Sequence, residues 1–152
     1  MAITAARAEE LQAAGKHTSV LYAVKRVEQV IRSRLDDLLK PSGITALQYT
    51  ALTVLERHDG LPAAQLARNS FVTPQSMADM VRALEERRLI IRERNPGNRR
   101  ELLIRLTDAG RQLLDDHAES VAALEERMVG NLSPRQLDQF RTALAASYQA
   151  LC

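Results

Sequence analysis

Three arginines lie within seven residues of each other, around a Pro-Gly pair, in the stretch RNPGNRR at positions 94–100. The guanidinium group is always charged and presents a planar set of donors that matches phosphate oxygens. Apolar-rich segments, LIIRE before the stretch and ELLIRLT after it, have the composition of two short strands. A turn that only closed a hairpin would not need this much positive charge. The stretch therefore predicts a hairpin whose tip meets a polyanion through Arg94, Arg99 and Arg100.

Positive charge is concentrated in this part of the chain. The 152 residues carry a formal net charge of only +2. Residues 82–105 hold eight arginines and four glutamates, whereas residues 106–152 hold four arginines and seven acids. One positive surface on a nearly neutral protein favours contact with a polyanion such as nucleic acid.

Helical periodicity surrounds the hairpin. Leucine and alanine dominate, and aromatic residues make up only 3% of the chain, which favours a fold that is mainly α with a small β-hairpin. We expect a helical or frayed arm at 1–15. We predict helices at 18–39, 46–58, 63–70, 74–88, 108–129 and 134–150, and strands at 90–94 and 100–106. Thr45, Thr73 and Thr107 are the predicted N-caps of the helices that they precede.

Three helices followed by a hairpin is the arrangement of a winged helix-turn-helix, with the helix-turn-helix at 63–70 and 74–88. The second helix of this motif enters the DNA major groove with its N-terminus foremost. Gln75 can pair with adenine, and Ser76 can donate or accept at either type of base. Pro96-Gly97 fits the centre of a type II turn, and an arginine side chain fits the narrow minor groove. The predicted DNA-binding residues are Thr73, Pro74, Gln75, Ser76, Arg82, Arg94, Arg99 and Arg100.

Long apolar stripes lie in the first helix and in the last two. A winged domain of three helices and a hairpin cannot cover them, so we expect a homodimer. A two-fold dimer also places two recognition helices about one DNA turn apart. We therefore predict one domain over 1–152, with a DNA-binding lobe at 45–107 and a helical dimerisation region at 18–40 and 108–150. The alternative is a helical subdomain within a monomer.

The stretch NPGNRRELLIRLTDAG, at 95–110, resembles the wing and the following LTxxG motif of the multiple antibiotic resistance regulator (MarR) family of bacterial transcription factors. The stretches TPQSMADMVRALEERRLI and GITALQYTALTVL are also similar, and the resemblance covers about residues 18–150. It implies a homodimeric DNA-binding repressor, with a winged helix-turn-helix in each subunit, that a small ligand releases from a pseudo-palindromic operator.

The resemblance also implies a ligand pocket lined from the first, second and fifth helices. Tyrosine and arginine at such positions suit a phenolic or carboxylate compound. The alternative for these residues is ordinary interface packing and surface charge. The candidates by position are His17, Tyr22, Arg26, Gln48, Tyr49 and Leu52.

Three positions depart from the family pattern. Asn98 stands where an aspartate commonly pairs with a wing arginine, so the resemblance implies a less rigidly aimed Arg100. Asp79 stands where a basic residue is common, and an acid there repels phosphate. Arg88 stands where glycine often ends the recognition helix.

Nothing in the sequence predicts an enzyme, a cofactor or a metal site. The three histidines are far apart, and the sequence has neither a Gly-rich phosphate loop nor an HExxH motif. The single cysteine, Cys152, is typical of a reducing cytoplasm, and we expect neither an export signal nor a membrane span. The alternative function is a winged-helix module for protein–protein interaction. Such a module favours exposed aromatic residues, which the sequence gives no sign of.

Overall fold

The computed structural model describes residues 5–152, except for the side chains of Ala8 and His17. The helices are α1 (Ala5–His17), α2 (Val20–Leu39), α3 (Ala46–Arg57), α4 (Ala63–Asn69), α5 (Pro74–Glu86), α6 (Asp108–Val129) and α7 (Pro134–Leu151), and the strands are β1 (Ile90–Asn95) and β2 (Asn98–Leu106). The predicted fold class, mainly α with a small hairpin, is confirmed. In the described part of the chain, no helix has the length and apolar character needed to cross a membrane.

Side-chain caps set the starts of the helices. The hydroxyl of Thr45 accepts the N–H of Gln48 at 3.1 Å, and the side chain of Gln48 accepts the N–H of Thr45 at 2.9 Å. This reciprocal pair satisfies two N–H groups that lack partners within the helix. Thr107 accepts the N–H of Gly110 at 3.1 Å at the start of α6. Both predicted caps are confirmed.

Two helix boundaries differ from the prediction by two residues, and the ends of α3, α4 and α7 each differ by one. The helix α2 begins at Val20, because the hydroxyl of Ser19 accepts the N–H of Tyr22 at 3.1 Å and so caps the helix one residue before it. The helix α5 ends at Glu86, and Arg88 lies in the left-handed region at φ 57°. Arg88 thus occupies, without being glycine, the conformation that usually ends a helix at glycine.

The chain divides into two units, with both boundaries inside helices. One unit contains residues Val30–Ser120, and the other contains the residues up to Gln29 together with Val121–Cys152. We call them the central unit and the terminal unit. The apolar core lies in the central unit, and its largest fully buried side chains are Leu39, Leu52, Leu66, Met77, Leu84, Ile90 and Ile104.

The terminal unit exposes apolar side chains. None of its described residues is buried, and large apolar side chains of α2 and α7 face solvent. They include Leu21, Val24, Val27, Phe140, Leu144 and Tyr148. A single copy of the chain therefore leaves the predicted apolar stripes uncovered.

The hairpin is fixed to the helices by a third backbone segment. Strands β1 and β2 pair antiparallel from Ile90 opposite Leu106 to Arg94 opposite Leu102. Leu61, in the loop between α3 and α4, pairs with Ile104 through backbone hydrogen bonds of 3.1 and 2.8 Å. Ile104 is 1% exposed. The hairpin is therefore held at its base by both main-chain bonding and core packing.

Gly110, at the start of α6, has no room for a side chain. A Cβ there would overlap the carbonyl oxygen of Leu89 and come within 2.6 Å of Leu106 Cδ1. We predict that Gly110→Ala lowers the free energy of unfolding by about 1–3 kcal/mol, because this part of the core is overpacked. Urea denaturation measures the change.

Gly15→Ala is the matched control, because a Cβ at Gly15 in α1 has no atom of another described residue within 4 Å. It should be neutral or stabilising, since alanine is the better helix former. Equal stabilities of the two variants would contradict the packing argument.

Candidate nucleic-acid interface

The N-terminus of α5 presents a set of exposed polar groups. Thr73 caps the helix by accepting the N–H of Ser76 at 3.1 Å, and its own hydroxyl donates to Ser76 Oγ at 3.0 Å. Pro74 occupies the first turn, where a missing N–H costs nothing. Gln75 and Ser76 are exposed. Met77, on the inner face, is buried, so the packing of α5 fixes the direction of these side chains.

The turn at the hairpin tip is not the predicted type II turn. Such a turn needs a positive φ at its third residue, and Gly97 is not among the glycines with positive φ. Asn95 explains the difference, because its Oδ1 accepts the N–H of Gly97 at 3.0 Å and so closes an Asx turn over Pro96. Asn95 Nδ2 also donates to Glu101 Oε2 at 2.7 Å.

A bulge follows the turn and carries two of the predicted arginines. Asn95 lies opposite Asn98, whereas Arg94 lies opposite Leu102. Residues 99–101 therefore have no partner residues on β1. Asn98 Oδ1 accepts the N–H of Arg100 at 3.2 Å, so the amide orders the backbone of the bulge. Arg94, Arg99 and Arg100 are all exposed.

Ion pairing separates the arginines of residues 82–105 into two groups. Arg82 pairs with Asp79, and Arg92 pairs with Glu85 at 2.5 Å. Both of these arginines line a cleft of about 340 Å³ between α4, α5 and the hairpin. In contrast, none of the ion pairs among the described residues involves the three arginines at the wing tip. Arg87 and Arg88 also take part in none of these ion pairs, so uncompensated positive charge lies at the wing tip and at the end of α5.

Arg105 connects the hairpin to the loop before α4. Its guanidinium donates to Asp59 Oδ1 at 2.6 Å, to the carbonyl oxygen of Asp59 at 3.2 Å and to Glu93 Oε2 at 2.8 Å. The hydrogen bond and charge of Asp59, and more weakly those of Glu93, raise the pKa of Arg105. The guanidinium also packs over Gly60, whose φ is 92°. These contacts lie beside the bridge between Leu61 and Ile104.

Known proteins share this arrangement. A model of the MarR family matches residues 42–101. An HTH-type transcriptional repressor of Mycobacterium tuberculosis is 32% identical over 123 residues, which cover 81% of this chain and 88% of that protein. The chain belongs to the MarR family. It is thus a member of a family of DNA-binding transcription regulators.

Solved MarR-type structures are similar over most of the chain. CouR of Rhodococcus jostii bound to p-coumaroyl-CoA is 27% identical, with a TM-score of 0.75, and the match covers 83% of this chain and 89% of that chain. CouR bound to a 23-mer DNA duplex is 27% identical, with a TM-score of 0.74, and the match covers 86% and 92%. Because the matches extend over more than four fifths of each chain, the similarity includes helices outside the winged lobe as well as the lobe itself.

Asp79 and Asn98, two of the departures from the MarR pattern, each contact a nearby arginine. Asp79 lies one turn before Arg82 on α5 and partly neutralises it. Asn98 accepts the main-chain N–H of Arg100, and as a neutral amide it cannot form an ion pair with the guanidinium. The acid on the recognition helix is therefore compensated locally. Arg100 has no acidic partner among the described residues, so its positive charge is not compensated.

The predicted ligand residues fall in both units. In the terminal unit, the Arg26 guanidinium lies over the Tyr22 ring at 5.9 Å. The side chain of His17 lies outside the described residues. Their role in ligand binding stays a prediction.

The other three candidates belong to the central unit. Gln48 is engaged in the cap of α3, and Leu52 is 0% exposed and forms part of the core. Tyr49 is half-buried, and burial, followed by the charge of Glu56, raises its pKa. Gln48 and Tyr49 thus have partly accessible polar groups, whereas Leu52 has none.

Sequence reasoning missed Phe71 in the turn between α4 and α5. Phe71 is 77% exposed, although an absence of exposed aromatic residues was expected. Its φ of 61° is left-handed. The sequence signal was the absence of glycine from 61–73, a segment that must contain the tight turn of the helix-turn-helix.

We predict that Arg105→Ala loosens the base of the hairpin. The variant loses hydrogen bonds to Asp59 and Glu93, and local opening of the adjacent bridge becomes easier. Amide exchange at Leu61 and Ile104 should be about two- to tenfold faster, as measured by hydrogen–deuterium exchange with residue resolution.

Arg111→Ala, on the exposed surface of α6, removes the same charge and serves as the control. It should leave both exchange rates unchanged. If Arg105→Ala also left them unchanged, the proposed restraint on the hairpin would be wrong.

Proposed function

We propose that this protein is a sequence-specific repressor that binds a pseudo-palindromic operator as a homodimer. The observation that carries the proposal is that the central unit combines two features. One is an exposed and well-capped N-terminus of α5, and the other is a wing tip of three arginines that take part in no ion pair among the described residues. The relative in M. tuberculosis, named as a transcriptional repressor, supports the direction of regulation.

The two parts of this surface have different roles. Gln75 and Ser76 read base edges in the major groove, with Thr73 and Pro74 positioning the backbone near phosphate. Arg94, Arg99 and Arg100 neutralise phosphate or enter the adjacent minor groove, where the negative potential is strongest. Arg82 contacts phosphate at the edge of the major groove, with its charge moderated by Asp79.

A second copy of the chain covers the exposed apolar side chains of the terminal unit. The stripe on α7 has Phe140, Leu144 and Tyr148 at a spacing of four residues, on one face of the helix. Uncovered apolar faces of this size are unusual on a monomer. A two-fold pair also gives the operator its two half-sites.

A small aromatic or phenolic compound releases the DNA. CouR, similar to this chain over most of its length, binds p-coumaroyl-CoA, which carries a phenol. In the central unit, the half-buried Tyr49 offers a group that suits a phenol. In the terminal unit, Arg26 over the ring of Tyr22 offers a cation that suits a carboxylate. A thermal-shift screen of phenolic acids and their thioesters, followed by DNA-release assays with each hit, tests this part of the proposal.

Gln75→Ala should weaken binding to the operator by about 1–3 kcal/mol and relax the preference at one base pair of each half-site. The reason is the loss of a bidentate contact with adenine. Fluorescence anisotropy with a duplex enriched from a random pool, and with each of its single-base variants, measures both effects.

Gln112→Ala, on the exposed face of α6, is the control and should bind as the unmodified protein does. If Gln75→Ala weakened binding to the enriched duplex and to random duplexes equally, Gln75 would be a backbone contact. The proposed base reading would then be rejected.

Leu144→Glu should shift the protein from dimer towards a species of 16.9 kDa and lower DNA affinity in parallel, because a buried charge opposes the pairing of α7 with a second copy. Sedimentation velocity at micromolar concentration measures the shift. Ala146→Glu, on the opposite face of α7, should leave the dimer intact. A 16.9 kDa species in the unmodified protein would refute the dimer.

A further inference from the structure

The turn between α4 and α5 contains a backbone conformation that is unfavourable for its residue. Phe71 has φ 61°, in the left-handed region. A side chain with a Cβ is strained there, whereas glycine is not. The ring is 77% exposed, so packing within the chain compensates little for this strain. Glycine at this position would therefore give a more stable fold.

The left-handed backbone itself has a structural use, because Phe71 ends α4 in the same way as Arg88 ends α5. The N–H groups of Phe71 and Val72 donate to the carbonyls of Arg68 and Ala67 at 3.3 and 3.1 Å. The N–H groups of Arg88 and Leu89 donate to the carbonyls of Glu85 and Leu84 at 2.9 and 3.0 Å in the same pattern. Neither helix end requires a side chain at its left-handed residue. The fold therefore explains the backbone at Phe71 but gives no use for its exposed apolar ring.

The surroundings of Phe71 place its ring beside the DNA-binding surface. The main chain of the turn is held by the N–H of Val72, which donates to the carbonyl of Ala67 at 3.1 Å. Ser70 is fully buried directly before it. Thr73, the cap of α5, follows two residues later, within about 8 Å of chain. An exposed apolar ring therefore lies next to the first turn of α5.

We propose that Phe71 is a DNA-contact residue that makes an apolar contact at the edge of the major groove. The inference rests on the proposed function, because it assumes that the N-terminus of α5 enters that groove. Two apolar groups of DNA are available to a phenyl ring there, the 5-methyl group of thymine and the deoxyribose. The contact gives the ring a role that glycine could not fill, at the expense of stability.

Two substitutions separate the ring from the backbone strain. Phe71→Ala removes the ring but keeps a Cβ in the left-handed conformation, whereas Phe71→Gly removes both. Both variants should bind the enriched duplex about three- to tenfold more weakly than the unmodified protein. Only Phe71→Gly should unfold at a higher temperature, by about 2–4 °C. Arg88→Gly is the control for the thermal shift and should also raise the unfolding temperature if its strain is relieved in the same way.

Replacing thymines by deoxyuracil one at a time identifies the contacted group. If one replacement weakens DNA binding by the unmodified protein but not by Phe71→Ala, the ring contacts the methyl group of that thymine. If no replacement has this effect, while both variants still bind the enriched duplex weakly, the ring contacts deoxyribose. Either result supports the proposal.

Equal affinity of the unmodified protein and both variants for the enriched duplex would overturn the inference and leave the proposed function standing. An unmodified protein that enriches no duplex would overturn both. Lower unfolding temperatures for both variants would show that the ring serves the fold, which also contradicts the inference.

Discussion

Two backbone hydrogen bonds between Leu61 and Ile104 set the position of the hairpin within the proposed DNA-binding surface. They join the base of the hairpin to the loop that starts α4, and the buried side chain of Ile104 packs into the core beside them. The wing therefore cannot change its angle without breaking main-chain bonds and exposing apolar surface. Arg105 reinforces the same junction from the outside, through Asp59 and Glu93.

The arginines near this junction are paired with acids, whereas those at the hairpin tip are not paired among the described residues. Acidic partners pair with Arg82, Arg92 and Arg105. These three arginines therefore stabilise the lobe internally as well as contributing to its positive electrostatic potential. Among the described residues, the arginines of residues 82–105 without an acidic partner are the three at the wing tip and Arg87 and Arg88 at the end of α5. A hairpin whose base is fixed before binding and whose tip carries free positive charge is well suited to a groove lined by phosphates.

Local signals in the sequence predicted most of the fold. Thr45, Thr73 and Thr107 start their helices as expected, because a cap depends only on residues within one turn. The family follows from the same local motifs. The prediction of a type II turn was wrong because the side chain of Asn95 accepts the N–H of Gly97 and closes an Asx turn instead, which a Pro-Gly pair alone does not reveal.

Long-range contacts were not predictable in the same way. Asp59 and Arg105 are 46 residues apart, and no periodicity connects them. Leu52, predicted as a ligand contact, shares the apolar spacing of a core residue and is enclosed in the core. Phe71 shows a different limit, because the absence of glycine from 61–73 indicates that another residue forms the tight turn, but only the backbone shows which one.

The central claim is that the hairpin tip acts as a wing on DNA through its unpaired arginines, and the salt dependence of binding tests it most directly. Affinity for the enriched duplex and for a random duplex should be measured between about 50 and 200 mM salt for Arg99→Ala/Arg100→Ala and for a charge-matched control, Arg135→Ala/Arg141→Ala. The wing variant should bind both duplexes more weakly, and its log–log salt slope should be shallower by about 0.9 for each phosphate that the wing no longer neutralises. The control should keep the slope of the unmodified protein. An unchanged affinity and slope in the wing variant would mean that RNPGNRR is only a solvated turn, and would contradict the account.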